Sequence, residues 1–225
     1  GSQTYSNTLI VSGAIGGGFA GAGAGSGTNL TRTTKAYVTN ATVGGTSKPN
    51  NVTVRASSTQ VSSNVVIGLA IGFGGGAASV LVNKFSADTE AYIDGGSVTA
   101  SGLAVNASSV NGFFAAAGAG SAGIIGIAGA FVVGLSSDTT KAYIGDSSQD
   151  TTINVSSALA VSAVSDNTFN SYSIGGSFAG LGAVAGMADA TVINNTTEAR
   201  IERATGTQQS SSVAVNAQET VTISP

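Results

Sequence analysis

The pentapeptide Thr140-Lys141-Ala142-Tyr143-Ile144 decides how the chain is read, because it recurs. Earlier copies are Thr34-Lys35-Ala36-Tyr37-Val38 and Thr89-Glu90-Ala91-Tyr92-Ile93, and a later one is Thr197-Glu198-Ala199-Arg200-Ile201. The central alanines are 55, 51 and 57 residues apart. A second signature interleaves with the first: Val52-Thr53-Val54-Arg55-Ala56, Leu103-Ala104-Val105-Asn106-Ala107, Leu159-Ala160-Val161-Ser162-Ala163 and Val213-Ala214-Val215-Asn216-Ala217. Both alternate with period two, the mark of half-buried strands. Their inward sets are Thr, Ala and Val/Ile in the first and Val/Leu, Val and Ala in the second. A fixed period of this size means a stack of like units. The chain therefore reads as one repeat domain over 1–225, with approximate repeats 3–56, 57–107, 108–163 and 164–217 and a tail 218–225.

The spacing between signatures separates two kinds of connection. From the second signature to the next first one, the alanines are 35, 35 and 36 residues apart; from the first to the second, 20, 16, 21 and 18. Surface loops accept length changes that packed segments resist. The variable stretch is thus a loop-bearing edge, as in Gly44-Gly45-Thr46-Ser47-Lys48-Pro49-Asn50, and the constant, Gly/Ala-rich stretch is packed.

That constant stretch admits three readings. Phe113 to Leu135 is uncharged and long enough for a membrane helix. However, Lys and Arg do not gather on alternate sides of the stretches, and the copy at 167–187 carries Asn167, Thr168, Asn170 and several serines. A Gly/Ala helix pair would carry about 0.8–1 kcal/mol of cost per interior glycine. Closely packed strands are the third reading, supported by the flanking period-two signatures, with Val65-Val66-Ile67 and Ala78-Ser79-Val80-Leu81-Val82 as the best candidates and Gly74-Gly75-Gly76 as the turn. The expectation is an all-β chain, a parallel β-solenoid (β-helix) with about four wide rungs of 51–57 residues.

If copies stack as neighbouring rungs, equivalent residues form ladders. One outward ladder is Lys35, Glu90, Lys141, Glu198, alternating in sign; the next is Tyr37, Tyr92, Tyr143, Arg200. Ala36, Ala91, Ala142 and Ala199 form an inward column in which only a small side chain fits. Charges fall in bands, at Lys84–Asp94, Asp138–Asp150 and Asp189–Arg203, which reads as a solvated edge.

Composition narrows the chemistry. The 225 residues include 33 Gly but no Cys, His or Trp, with 8% charged residues and a net charge of −3. Thiol nucleophiles, disulfides, imidazole metal ligands and His-centred triads are excluded. A nucleic-acid footprint is not expected. Asp146 with Asp150 could hold Ca²⁺, for which a solvated edge is the simpler account, and Asp88 with Glu90, or Asp146 with Asp150, could form an acid pair for glycoside cleavage, which needs a cleft that nothing in the sequence marks. Asn29, Asn40 and Asn51 begin N-glycosylation patterns of the kind expected by chance here. Exposed Tyr37, Tyr92 and Tyr143 could stack on sugars, or serve as a structural ladder. Neither catalysis nor a cofactor or metal is expected. Gly1-Ser2 read as residues left by cloning, and no secretory signal is visible.

Signatures of the form Thr-Lys-Ala-Tyr-Ile and Leu-Ala-Val-Asn-Ala, separated by Gly/Ala-rich stretches, resemble the repeats of very large bacterial surface proteins, the filamentous haemagglutinin-like and leukotoxin-like adhesins. The resemblance spans all four copies. It implies a β-solenoid stalk on the surface of a Gram-negative-type bacterium, with binding tips elsewhere in a longer chain and no catalytic residue in the repeats. Short-rung members have coils of about half this period, so the rung shape is not carried over. Partners implied are neighbouring repeats or end-to-end copies, and a host or cell-surface glycan or protein. The other classes considered are a self-associating fibre subunit and a glycan-binding β-helix module.

Overall fold

The computed structural model describes residues 1–44, 49–146, 150–206 and 212–224. The signatures do what period-two alternation requires: they are strands, and every strand pairing is parallel. The strands are β1 (Ser2–Ile15), β2 (Phe19–Val43), β3 (Asn51–Ile71), β4 (Gly74–Ala100), β5 (Gly102–Ser136), β6 (Thr139–Ile144), β7 (Thr151–Val155), β8 (Ala158–Ile193), β9 (Thr196–Ile201), β10 (Ala204–Thr205) and β11 (Ser212–Ser224). They form one sheet wound as a parallel β-solenoid. The helical readings of Phe113–Leu135 are replaced by strand β5.

Each rung runs out along one wall and back along the other. One wall stacks β1, β3, the first half of β5, the first half of β8, and β11; the other stacks β2, β4, then β5 with β6 and β7, then β8 with β9 and β10. At about 3.3 Å per residue, the 21 residues of β3 span about 70 Å. Four rungs at about 4.8 Å stand only about 20 Å tall. The domain is a wide, thin blade.

The far corner of the rung lies at 16–18 and at Gly72–Phe73. The expected turn at Gly74–Gly76 is displaced: these glycines begin β4, paired to Phe19–Gly21 on one side and Ile125–Ile127 on the other. Two-sided pairing holds them extended. In the third rung the corner is a register shift between Gly123 and Ile125 inside a continuous β5. At the opposite end, the corner after the first signature uses backbone with positive φ at Asn40, Gly95, Gly96, Gly145 and Arg203. Gly96 has φ of 79°, and a Cβ there would run into the backbone of Ala41 on the rung below, so only glycine fits.

Two apolar clusters fill the interior. The signature end holds Val54, Ala91, Ile93, Val105, Ala142, Ile144, Ile153 and Val161, and the corner strands add Val98 and Val155. The Gly/Ala end holds Val66, Leu81, Phe85, Phe113, Val132 and Phe169 with small residues between them. The longer stretch of Gly44–Asn50 includes residues 45–48, which lie outside the described residues.

Candidate functional site

The register places the predicted ladders side by side. Lys35 pairs with Glu90, Glu90 with Lys141 and Lys141 with Glu198. The next outward column pairs Tyr37, Tyr92, Tyr143 and Arg200 in turn. Between them, Ala36, Ala91, Ala142 and Ala199 share one inward column, with Ala91 and Ala142 fully buried.

The aromatic column is continuous. Tyr37 stacks on Tyr92 with centroids 5.2 Å apart, Tyr92 on Tyr143 at 4.8 Å, and the Arg200 guanidinium lies 5.0 Å from the Tyr143 centroid. Offset-stacked rings and a cation over a ring face each contribute up to about 1 kcal/mol or somewhat more. This cover corrects the expectation that all three tyrosines are exposed. Tyr37 is 60% exposed, whereas Tyr143 is only 8% exposed. Burial, with Glu90 nearby, pushes the Tyr143 hydroxyl well above the usual phenol range.

The charges pair unevenly. Lys35 meets Glu90 at 2.7 Å and Asp88 at 3.9 Å, and the hydrogen bond it donates to Glu90 raises the lysine's pKa. Glu198 turns instead to Arg200 of its own strand at 3.2 Å. We therefore expect the single change Lys141→Glu, which sets three acids in a row, to cost only about 0.2–1 kcal/mol. Adding Lys35→Glu, Glu90→Lys and Glu198→Lys restores the alternation and should recover part of that loss in urea melts, the remainder persisting because residue 35 then repels Asp88 and residue 198 repels Arg200. No recovery over the single change would mean that the column is not a coupled ladder.

The imagined acid sites are not assembled. Asp88 and Glu90 lie two apart on one outward strand face, and both face Lys35. Asp146 and Asp150 each face an arginine, Arg200 at 3.6 Å and Arg203 at 3.0 Å respectively. Among the described residues, no group of three or more acidic, Cys or His side chains is placed to hold a metal ion. No described helix is long and apolar enough to cross a membrane.

A buried polar belt between the two apolar clusters went unread in the sequence. It contains Ser58, Gln60, Ser62, Asn64 and Asn83 in one rung and Ser109, Asn111, Ser136 and Asp138 in the next, all at most 3% exposed. Asn64 Nδ2 donates to Asn83 Oδ1 across the interior at 2.6 Å. Asn111 Nδ2 donates along the stack to Asn167 Oδ1 at 3.0 Å and across it to Asp138 Oδ2 at 2.9 Å.

Asp138 also corrects the reading of the charge bands as solvated throughout. It sits four residues before Ala142, an even offset that turns it inward, and it is 1% exposed. Three donors hold its carboxylate: Ala87 N at 2.8 Å, Ser136 Oγ at 2.8 Å and Asn111 Nδ2. Desolvation still wins and raises its pKa above 3.8. Between the ordinary and the raised value, the folded protein keeps a proton that the unfolded chain has released, so stability falls as pH rises through that window. The stability difference between parent and Asp138→Asn should therefore decline as the pH rises above about 4. A difference that stays flat or rises across urea melts in that range would contradict this assignment. Asp88, whose pKa is raised by desolvation and Glu90, is present in both proteins and cancels.

The chain matches no protein-family model, no curated protein and no solved structure among those compared with it.

Proposed function

We propose that this domain is a non-catalytic stalk segment of an extracellular bacterial adhesin or filament, which holds a recognition region away from the cell. The observation that carries the reading is the stack itself. Each repeat adds one rung in strict parallel register, so length grows in proportion to repeat number. The paired acids, the absence of Cys and His and the resemblance of the signatures to adhesin repeats favour a mechanical over a chemical role. Neighbouring repeats would occupy the rung edges, and a host or cell-surface glycan or protein would meet the tip.

Chains carrying one, two and three tandem copies test it. Electron microscopy should show blades of constant width, about 70 Å, whose height grows by about 20 Å per copy, four rungs at about 4.8 Å each. Beads of constant size would sink the reading. Antibody labelling of intact cells of the source bacterium tests the location.

A second reading, a self-associating fibre subunit, is favoured by the edges. β1 and β2 leave one side of the first rung unpaired, and β9 leaves one side of the fourth. Head-to-tail addition in which residues 2–7 of the next copy replace residues 219–224 along β8 would set Lys35 beside Glu198 and Tyr37 beside Arg200, continuing both ladders. Unpaired strand edges template such association. Light scattering that grows without limit with concentration would favour the fibre. A glycan array probes the exposed end of the tyrosine column.

A further inference from the structure

We infer that the outer face of the glycine-rich wall is a self-pairing surface, in which the Ile125 and Ile127 ridge of one copy seats in the groove lined by Phe19, Gly21, Gly74 and Gly76 of a second copy. This lateral pairing is separate from any end-to-end contact. Segments 19–27, 74–82, 125–133 and 182–190 lie side by side in that wall. Their outward positions carry no charge, and Phe19 is 86%, Val80 44%, Ile125 48%, Ile127 57% and Phe131 46% exposed. An apolar patch of this kind on a soluble protein marks an interaction surface.

The relief of the face is self-complementary. Ile125 and Ile127 stand between two apolar grooves of about 370 Å³ each, one lined by Phe19 and the glycines, the other by Leu181, Gly182 and Val184. Two copies related by a two-fold axis would place each ridge in the other's groove at once, as an isologous interface requires.

The glycines say what kind of partner fits. A Cβ built on Gly21, Gly23, Gly27 or Gly76 would meet nothing within 4 Å. Nothing within the chain requires glycine there, and glycine weakens a strand interior. Lipid or water would accept a side chain at these positions, whereas a second sheet at close range would not. To follow ridge and groove, that sheet must repeat at the same rung spacing, which a second copy does. The four segments cover about 600 Å² in flat projection before side-chain relief is counted, close to the ~800 Å² per partner of a standard interface.

Sedimentation velocity of the chain over a wide concentration range tests the pairing, and a dimer is expected. Gly76→Phe fills the groove through open space, and Ile127→Asp charges the ridge. Each should weaken dimerisation at least tenfold while far-UV circular dichroism keeps its β form. The parent has no cysteine, so mixing Gly76→Cys with Ile127→Cys should give a disulfide between the two variants under mild oxidation. A parent that stays monomeric overturns the proposal, as does a dimer indifferent to both changes. Flotation of the parent with phosphatidylcholine vesicles in the absence of a dimer assigns the face to lipid and overturns it too. Rods that form equally in parent and variants report end contacts, so the fibre and the lateral pairing fail independently.

Discussion

Replacing Phe113 by alanine is expected to cost about 3–5 kcal/mol, the upper range for a buried aromatic. Phe113 is 2% exposed and lies between Phe85, 5.5 Å away, and Phe169, 4.8 Å away. Its ring also occupies the space that a side chain at Gly134 on the facing wall would take. The hole left behind cannot close. Strand hydrogen bonds fix the rungs above and below at their spacing, and the facing wall is tied through the same rungs. The transfer and cavity terms therefore both apply in full. Urea melts should show a lower midpoint with an unchanged slope. A loss under about 1 kcal/mol would mean that the site relaxes, and that the walls are not held as rigidly as the register implies.

Enlarging Ala142 to leucine should cost about 1–3 kcal/mol by overpacking. Ala142 is fully buried in the signature-end cluster, with Ala91 and Ala199 at the same position on the rungs to either side. A leucine has nowhere to turn: along the stack it meets the neighbouring strands, and across the interior it meets the aliphatic column of the other wall. The comparison with Ala199→Leu makes the test specific. Ala199 is only partly buried, and its strand β9 is paired on one side by β6. Its substitution should cost clearly less. Equal costs at the two positions, or none at Ala142, would be incompatible with their places in the stack.

The ladders were legible because period-two strands leave no choice of face, and the 35-35-36 spacing leaves little choice of partner. The corners were not. Gly74-Gly75-Gly76 looks like a turn from composition, yet pairing on both sides holds it extended and bends the chain at Gly72–Phe73 instead. The polar belt was also missed, since Ser, Asn and Gln in a polar run read as surface. A usable signal existed: Gln60, Asn111 and Asn167 each follow the alanine of the second signature by four residues, so they share its inward face. Asp138 carries the same kind of signal. The cover over Tyr143 depends on Arg200 in the next rung, which shows only once the register is known.

A chain built from near-copies faces a fault that unique sequences avoid: a rung can dock on its second neighbour, leaving one repeat looped out. Backbone hydrogen bonding would not object, since parallel strands accept any partner of the same length. The alternating column does object. A skipped rung would set Lys35 beside Lys141, or Glu90 beside Glu198, where the correct order gives opposite signs at each step. Each such clash is small, of the order of 0.2–1 kcal/mol, but it arises while the new rung is still being laid down, when few other contacts have formed. A modest surface charge pattern thereby acts as a counting device, and favours assembly of the repeats in sequence without omission.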